Sequence, residues 1–288
     1  MKYCLAVFLF LLSIKSNAQQ SNLGVLYNTY TIDSNINFLA IGEVHRDVSS
    51  YAYEKQVLAT YINMHKEDDV VLFLEYSDTL NDYIQRYRLS KDTLDIFRFF
   101  QTWSTGSMTN YTFRRYQFLL ELLNTFDGNS KIKIVCIDIN NKSHKKYAIR
   151  DSVMCKNMTK VIFDSPKSTK YIFIAGAAHV TRNYSPKTKN FDNSNSAIKQ
   201  LRSIAHLYHL NIGTILIQSK YWYTSNNTKK FKTLFYSGFS RAQYEQINTI
   251  DFKTADYIFI QPRVYLNDTN FDEQDYFLLN KLGFNVGD

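Results

Sequence analysis

An α/β fold is what this sequence predicts: a mostly parallel central sheet, helices on both faces, and a helical insertion at the C-terminal edge of the strands. Three observations predict it. Short apolar runs rich in β-branched and aromatic residues recur along the chain, among them Phe38-Leu39-Ala40-Ile41, Val70-Val71-Leu72-Phe73-Leu74 and Tyr171-Ile172-Phe173-Ile174-Ala175. A short apolar run bounded by polar residues reads as a strand buried on both faces. Longer stretches with helical periodicity separate these runs. Strand–helix alternation of this kind builds βαβ units, hence parallel pairing with both faces covered.

The elements follow in order. Lys2, the apolar stretch Cys4 to Ile14, and the small residues of Ser16-Asn17-Ala18 read as a secretory leader with its cleavage site. Residues 1–18 are therefore expected to be removed, because the apolar stretch is too short to span a bilayer. Residues 19–288 are expected to form one domain of an exported, periplasmic or secreted bacterial protein. Strands are expected at Asn37–Ile41, Val70–Glu75, Lys131–Asp138, Lys170–Ala175, Gly213–Gln218 and Asp256–Gln261. Between them, Ser50 to His65 aligns Tyr53, Val57, Tyr61 and Met64. Asn110 to Phe126 aligns Tyr116, Leu119, Leu120 and Leu123. Lys145 to Phe163 turns Ile149, Val153, Met154 and Val161 inward, and Asn195 to Leu210 does so with Ile198, Leu201, Ala205 and Tyr208. Two stretches break the alternation. Residues 77–110 have helical fragments and an aromatic cluster (Phe97, Phe99, Phe100, Trp103) and read as the insertion. Residues 220–252, rich in aromatic and turn residues, read as loops or a hairpin on the same rim.

Composition excludes several classes. The net charge of +8 includes Lys2 and Lys15 of the leader, and the remaining lysines are scattered rather than striped, which describes a solvated basic surface and not a nucleic-acid groove. No other segment is long and apolar enough for a membrane span. Cys136 lies in an expected buried strand and Cys155 on an expected helix, without the C-x-x-C spacing of a metal site, so both read as inert buried thiols. The chain has no G-x-S-x-G elbow, Walker loop, H-E-x-x-H or G-x-G-x-x-G, which argues against a serine nucleophile and a nucleotide cofactor.

The chemistry concentrates at strand ends. Two of the six histidines, His45 and His179, each follow by three residues a glycine that closes an apolar run (Gly42 and Gly176). Each glycine is expected to open a turn. Residues just past the strand ends of a parallel sheet line its ligand crevice, so these two imidazoles are expected to meet across one site. Glu43 and His45 point the same way in extended backbone, and a carboxylate beside an imidazole orients it and raises its basicity. Glu75 ends an otherwise apolar strand, a costly place for a carboxylate unless it is paired or functional. Arg150, followed by Asp151 at the start of a helix, can clamp a carboxylate or stabilise developing negative charge. His179 has no acid near it in sequence and needs a partner from elsewhere in the fold. Glu43, His45 and His179 together also make a donor set suited to a divalent metal such as Zn, Mn or Fe. His206 and His209, three apart, fall on one helix face, and His65 and His144 read as surface residues.

In this order, Gly42-Glu43-x-His45, Leu74-Glu75, Arg150-Asp151-x-x-Met154-x-x-Asn157 and Gly176-x-x-His179 resemble the erythromycin esterase, ChaN and TraB/Tiki superfamily, over about Phe38 to Tyr265. The esterase branch of that resemblance implies a hydrolase in which Glu43, His45 and His179 activate water without a metal, with Glu75 and Arg150 supporting. The Tiki branch implies a metal-dependent variant. The ChaN branch implies a haem- or metal-binding exported protein without turnover. The single residue between Glu43 and His45 is ChaN's spacing, whereas the absence of a cysteine to lipidate after the leader departs from ChaN. The expectation is thus an exported hydrolase acting on a small molecule, bulky or apolar if the aromatic rim receives it. Haem binding is the alternative.

Overall fold

A seven-stranded sheet forms the centre of the computed structural model, which describes residues 32–43, 48–103, 110–126, 129–139, 147–180, 196–219, 238–240 and 257–261. The strands are β1 (Phe38–Glu43), β2 (Val70–Ser77), β3 (Ile132–Asp138), β4 (Lys170–Gly176), β5 (Ile212–Ser219), β6 (Gly238–Ser240) and β7 (Tyr257–Gln261), in the order β3-β2-β4-β1-β5-β7-β6. Every pairing is parallel except the one between β6 and β7. The helices are α1 (Val48–Met64), α2 (Leu80–Ser90), α3 (Thr93–Trp103), α4 (Asn110–Phe126), α5 (Tyr147–Phe163), the single turn α6 (Ala177–Val180) and α7 (Ala197–Ile204). The α/β architecture read from the sequence is the one observed. Each residue of β1 and of β2 is buried, as strands covered on both sides must be.

Register sorts the core into two layers. Ala40, Phe173 and Phe73 are cross-strand partners. Their face, with Phe38 and Tyr171, packs against Met154 and Met158 of α5 and Ile198 and Leu201 of α7. Each such side chain contributes about 2 kcal/mol through removal of apolar surface from water. Leu39, Ile41, Leu72 and Leu74 alternate onto the other face. There the Tyr61 hydroxyl of α1 donates to the Ile36 carbonyl at 3.0 Å, and Phe100 of α3 meets the Tyr76 ring edge-on at 5.7 Å.

Several expectations need correction. Gly42 opens no turn; it lies inside β1, and its lack of a side chain serves close packing. A Cβ there would stand 2.6 Å from Leu216 Cδ2 and 3.0 Å from Ala177 Cα, so only glycine lets α6 settle against the sheet. The expected helix over 195–210 stops at Ile204, because the chain must turn to enter β5 at Ile212. A 3₁₀ turn over Ala205–Tyr208 follows, with His209 in the left-handed region at φ 54°. His206 and His209 therefore share no α-helical face. His65 is buried rather than on the surface, with Nδ1 3.3 Å from Asp68 Oδ2. Ile149 and Met64 are exposed, not inward. The described part of the aromatic cluster is a local core: Phe97, Phe99 and Phe100 are buried and pack on one another and on Tyr116. Of residues 220–252 only β6 is described, and it pairs with β7 as a hairpin arm would.

Candidate functional site

Four adjacent strands end at one edge, and three of them present an acid there: Asp138 on β3, Glu75 on β2 and Glu43 on β1, with β4 between the last two ending at Gly176. Glu75 is the hub. Its Oε2 accepts the Gly176 main-chain N–H at 2.6 Å, and its Oε1 accepts from Arg150 Nη2 at 2.7 Å. The same Oε1 lies 3.3 Å from His179 Nε2. Arg150, near the start of α5, reaches both neighbouring acids. Its Nε donates to Asp138 Oδ1 and Oδ2 at 3.2 and 3.1 Å, and its Nη2 also bonds Asp138 Oδ2. His179, on α6, is gripped from the other side by Asp151, with Nδ1 2.7 Å from Oδ1. That oxygen also accepts the Ala197 N–H at 3.0 Å, which ties the start of α7 to the imidazole.

Three carboxylates thus surround one guanidinium and one imidazole, all but Arg150 buried. The fold brings them together because two βα connections place them. The α5 helix begins after β3 and aims Arg150 and Asp151 back over the strand ends, while α6 follows β4 at once and sets His179 beside Glu75. Burial works against a charged His179, but the Glu75 charge and the hydrogen bonds that His179 donates to Asp151 and Glu75 outweigh it, pushing the pKa up to about 10. His179 is therefore an imidazolium near neutrality, donating from both ring nitrogens. For Arg150, burial likewise opposes the charge and Asp138 and Glu75 overcome it, so the guanidinium is held more firmly protonated than in water.

Of the expected site residues, Glu75, Arg150 and His179 are joined directly. Glu43 stands at the same edge, paired in register with Gly176 and in phase with Ile41. Its charge helps to raise Tyr76, whose pKa burial pushes up to about 12 against the pull of Arg115. His45 lies outside the described residues. Both ring nitrogens of His179 face acids, Asp151 at Nδ1 and Glu75 at Nε2, and of the expected Glu43, His45 and His179 metal set only Glu43 and His179 are described. Among the described residues no three His, Cys, Asp or Glu side chains group as metal ligands. Asp138 and Asp151 were not singled out from the sequence. Asp138 ends the apolar run of β3 just as Glu75 ends that of β2, so the same criterion selects it. Asp151 is marked only by its place beside Arg150 and in the motif Arg150-Asp151-x-x-Met154-x-x-Asn157, neither of which points to His179.

No protein-family model matches the chain, and no curated protein matches it in sequence. Among solved structures, the neighbours include an erythromycin esterase and a ChaN. An erythromycin esterase EreC mutant in its open conformation is 10% identical at a TM-score of 0.47, over 68% of this chain and 72% of that one. ChaN of Campylobacter jejuni with cofacial haem is 11% identical at a TM-score of 0.40, over 81% and 89%. The type III effector HopBA1 is 11% identical at 0.43, over 80% and 90%. The chain spans about a third of the RRSP toxin effector domain from Vibrio vulnificus (33%), at 18% identity and a TM-score of 0.38.

Proposed function

We propose that this protein is an exported, esterase-like hydrolase whose site is the C-terminal edge of the sheet between β3 and β1. The observation that carries the reading is the Asp138–Arg150–Glu75–His179–Asp151 chain. Burying so many charges costs desolvation that a well-packed apolar filling avoids, so the network is poorly accounted for by stability alone. It stands at the strand ends where α/β proteins bind ligands. The roles follow from protonation. His179, bridging Asp151 and Glu75 through both ring nitrogens, holds Glu75 in place and puts a positive charge at the site rather than acting as a base. Arg150 is the member partly open to solvent, with 26% of its side chain exposed, and faces developing negative charge. Activation of water falls to His45 with Glu43, the assignment that the sequence resemblance implies. The substrate is a small ester-bearing molecule, and no step requires a metal.

The test is turnover of a p-nitrophenyl ester series of increasing acyl length by the purified protein and its variants. The unaltered protein is expected to hydrolyse at least one ester. His179→Asn and Glu75→Gln are each expected to lose about 100-fold or more, with the fold retained by circular dichroism. Absence of turnover across the series, together with a stoichiometric Soret band on adding haemin, would replace the hydrolase reading by haem binding. Export is checked by the mass of the protein recovered outside the cytoplasm, expected to begin near Gln19.

A further inference from the structure

The main chain of β2 is irregular where it carries Glu75. Its pairing with β3 runs in register through Leu74 and resumes shifted at Ser77, so Glu75 and Tyr76 lie in a bulge. A bulge turns a side chain away from its regular direction and leaves main-chain groups without their ladder partners. Within the bulge, the Glu75 carbonyl accepts from Arg115 Nη2 of α4 at 2.9 Å. The Arg115 guanidinium also lies over the Tyr76 ring, 4.3 Å from its centroid, and the Tyr76 hydroxyl donates to the Arg115 carbonyl at 3.3 Å. Arg115 and Tyr76 are each 6% exposed. A planar guanidinium can stack on a ring and hydrogen-bond in its own plane at once, which a lysine cannot.

We propose that Arg115 is a positioning residue: by clamping the bulged end of β2 from the far side of the sheet, it fixes the Glu75 carboxylate against Gly176, Arg150 and His179. The clamp comes from α4, so the helices between β2 and β3 set the geometry of the acid hub. As a statement about catalysis this rests on the hydrolase reading; as a statement about the position of Glu75 it does not.

The Gly176 amide, hydrogen-bonded to Glu75 Oε2, reports that position by hydrogen exchange, with the Phe173 amide in the same strand as internal reference. Arg115→Lys is expected to speed exchange at Gly176 by about tenfold relative to Phe173, Arg115→Met by more, and Tyr76→Phe by less than either, because the ring remains under the guanidinium. An unchanged Gly176-to-Phe173 ratio in the folded variants overturns the proposal and leaves Arg115 a packing residue. A Gly176 amide that exchanges at the rate of exposed main chain in the unaltered protein overturns it whether or not the variants fold. Ester turnover is read separately. Its absence from the unaltered protein defeats the hydrolase reading while the exchange ratio still decides the placement of Glu75. Where turnover is present, Arg115→Lys is expected to lower kcat about tenfold with little change in KM, since the acid is displaced without loss of a substrate contact.

Discussion

Replacing Asp151 by Asn changes one atom and removes the charge that meets His179 Nδ1 at 2.7 Å. His179, raised to about 10 from its ordinary 6.5, binds its proton more tightly folded than unfolded. That stabilisation is complete below about pH 6.5 and disappears as the pH rises through about 10. At pH 7 the linkage integral over that shift is about 4 kcal/mol, and at pH 9 about 1–2 kcal/mol. These figures are ceilings for Asp151, because Glu75 still faces Nε2 at 3.3 Å and the Asn oxygen can still accept one N–H. A hydrogen bond to a charged group, worth about 2 kcal/mol, sets the floor. Asp151→Asn is therefore expected to lose about 2–4 kcal/mol at pH 7, or roughly 5–15 °C in Tm for a domain of this size. Urea unfolding of both proteins at pH 6, 7, 8 and 9 measures the difference, and other titrating groups cancel between them. The deficit should shrink towards pH 9. A deficit below about 1 kcal/mol at pH 7, or one that stays constant from pH 7 to 9, refutes a charged His179 held between two acids.

Gly42→Ala drives a Cβ to 2.6 Å from Leu216 Cδ2 and 3.0 Å from Ala177 Cα; since the Ala177 contact is main chain, about 1–3 kcal/mol should be lost in urea unfolding. Tyr61→Phe deletes the 3.0 Å bond to the Ile36 carbonyl that anchors the entry to β1, and should cost about 1 kcal/mol by the same measurement. Cys136 and Cys155 should never crosslink. Cys136 is in register with Leu74 on one face of the sheet, whereas Cys155 packs in the core of the other, and both are free and buried. Burial pushes the Cys155 thiol up to about 11 and Cys136 higher still, so thiol labelling should be slow until the protein unfolds, and non-reducing electrophoresis should show no faster-migrating band.

What the sequence made legible was whatever local pattern controls. The buried strands stood out because parallel strands covered on both sides, such as β1 and β2, leave no polar alternation to blur an apolar run. The acid ending such a run, Glu75, stood out because burial makes it expensive. The partners did not. Asp151 meets His179 across 28 residues and Glu75 meets Gly176 across 101, contacts that only the order of strands decides. The expectation that His179 needs an acid from elsewhere was right in kind and silent about which. Gly42 misled because an apolar run closed by glycine looks the same whether the glycine turns the chain or admits a neighbour, and here Leu216 and Ala177 fill the space. The long helix over 195–210 misled because periodicity carries no information on how few residues remain before β5 must start.

Strand order also divides the two glutamates that the sequence presents as equals. They flank β4 on either side, yet they act on different groups. Glu75 governs His179 and Arg150 on the α5 side, while the Glu43 charge acts on Tyr76. Neutralising them should give different signatures. Glu75→Gln removes the largest of the influences that raise His179 and should move the alkaline stability profile toward lower pH. Glu43→Gln should leave that profile in place and instead make Tyr76 easier to ionise, since the Glu43 carboxylate is among the charges raising it. Ultraviolet titration of tyrosinate follows the second effect and urea unfolding against pH the first. If both variants shift the His179-linked profile equally, the two acids act on one imidazole and the division between them is wrong.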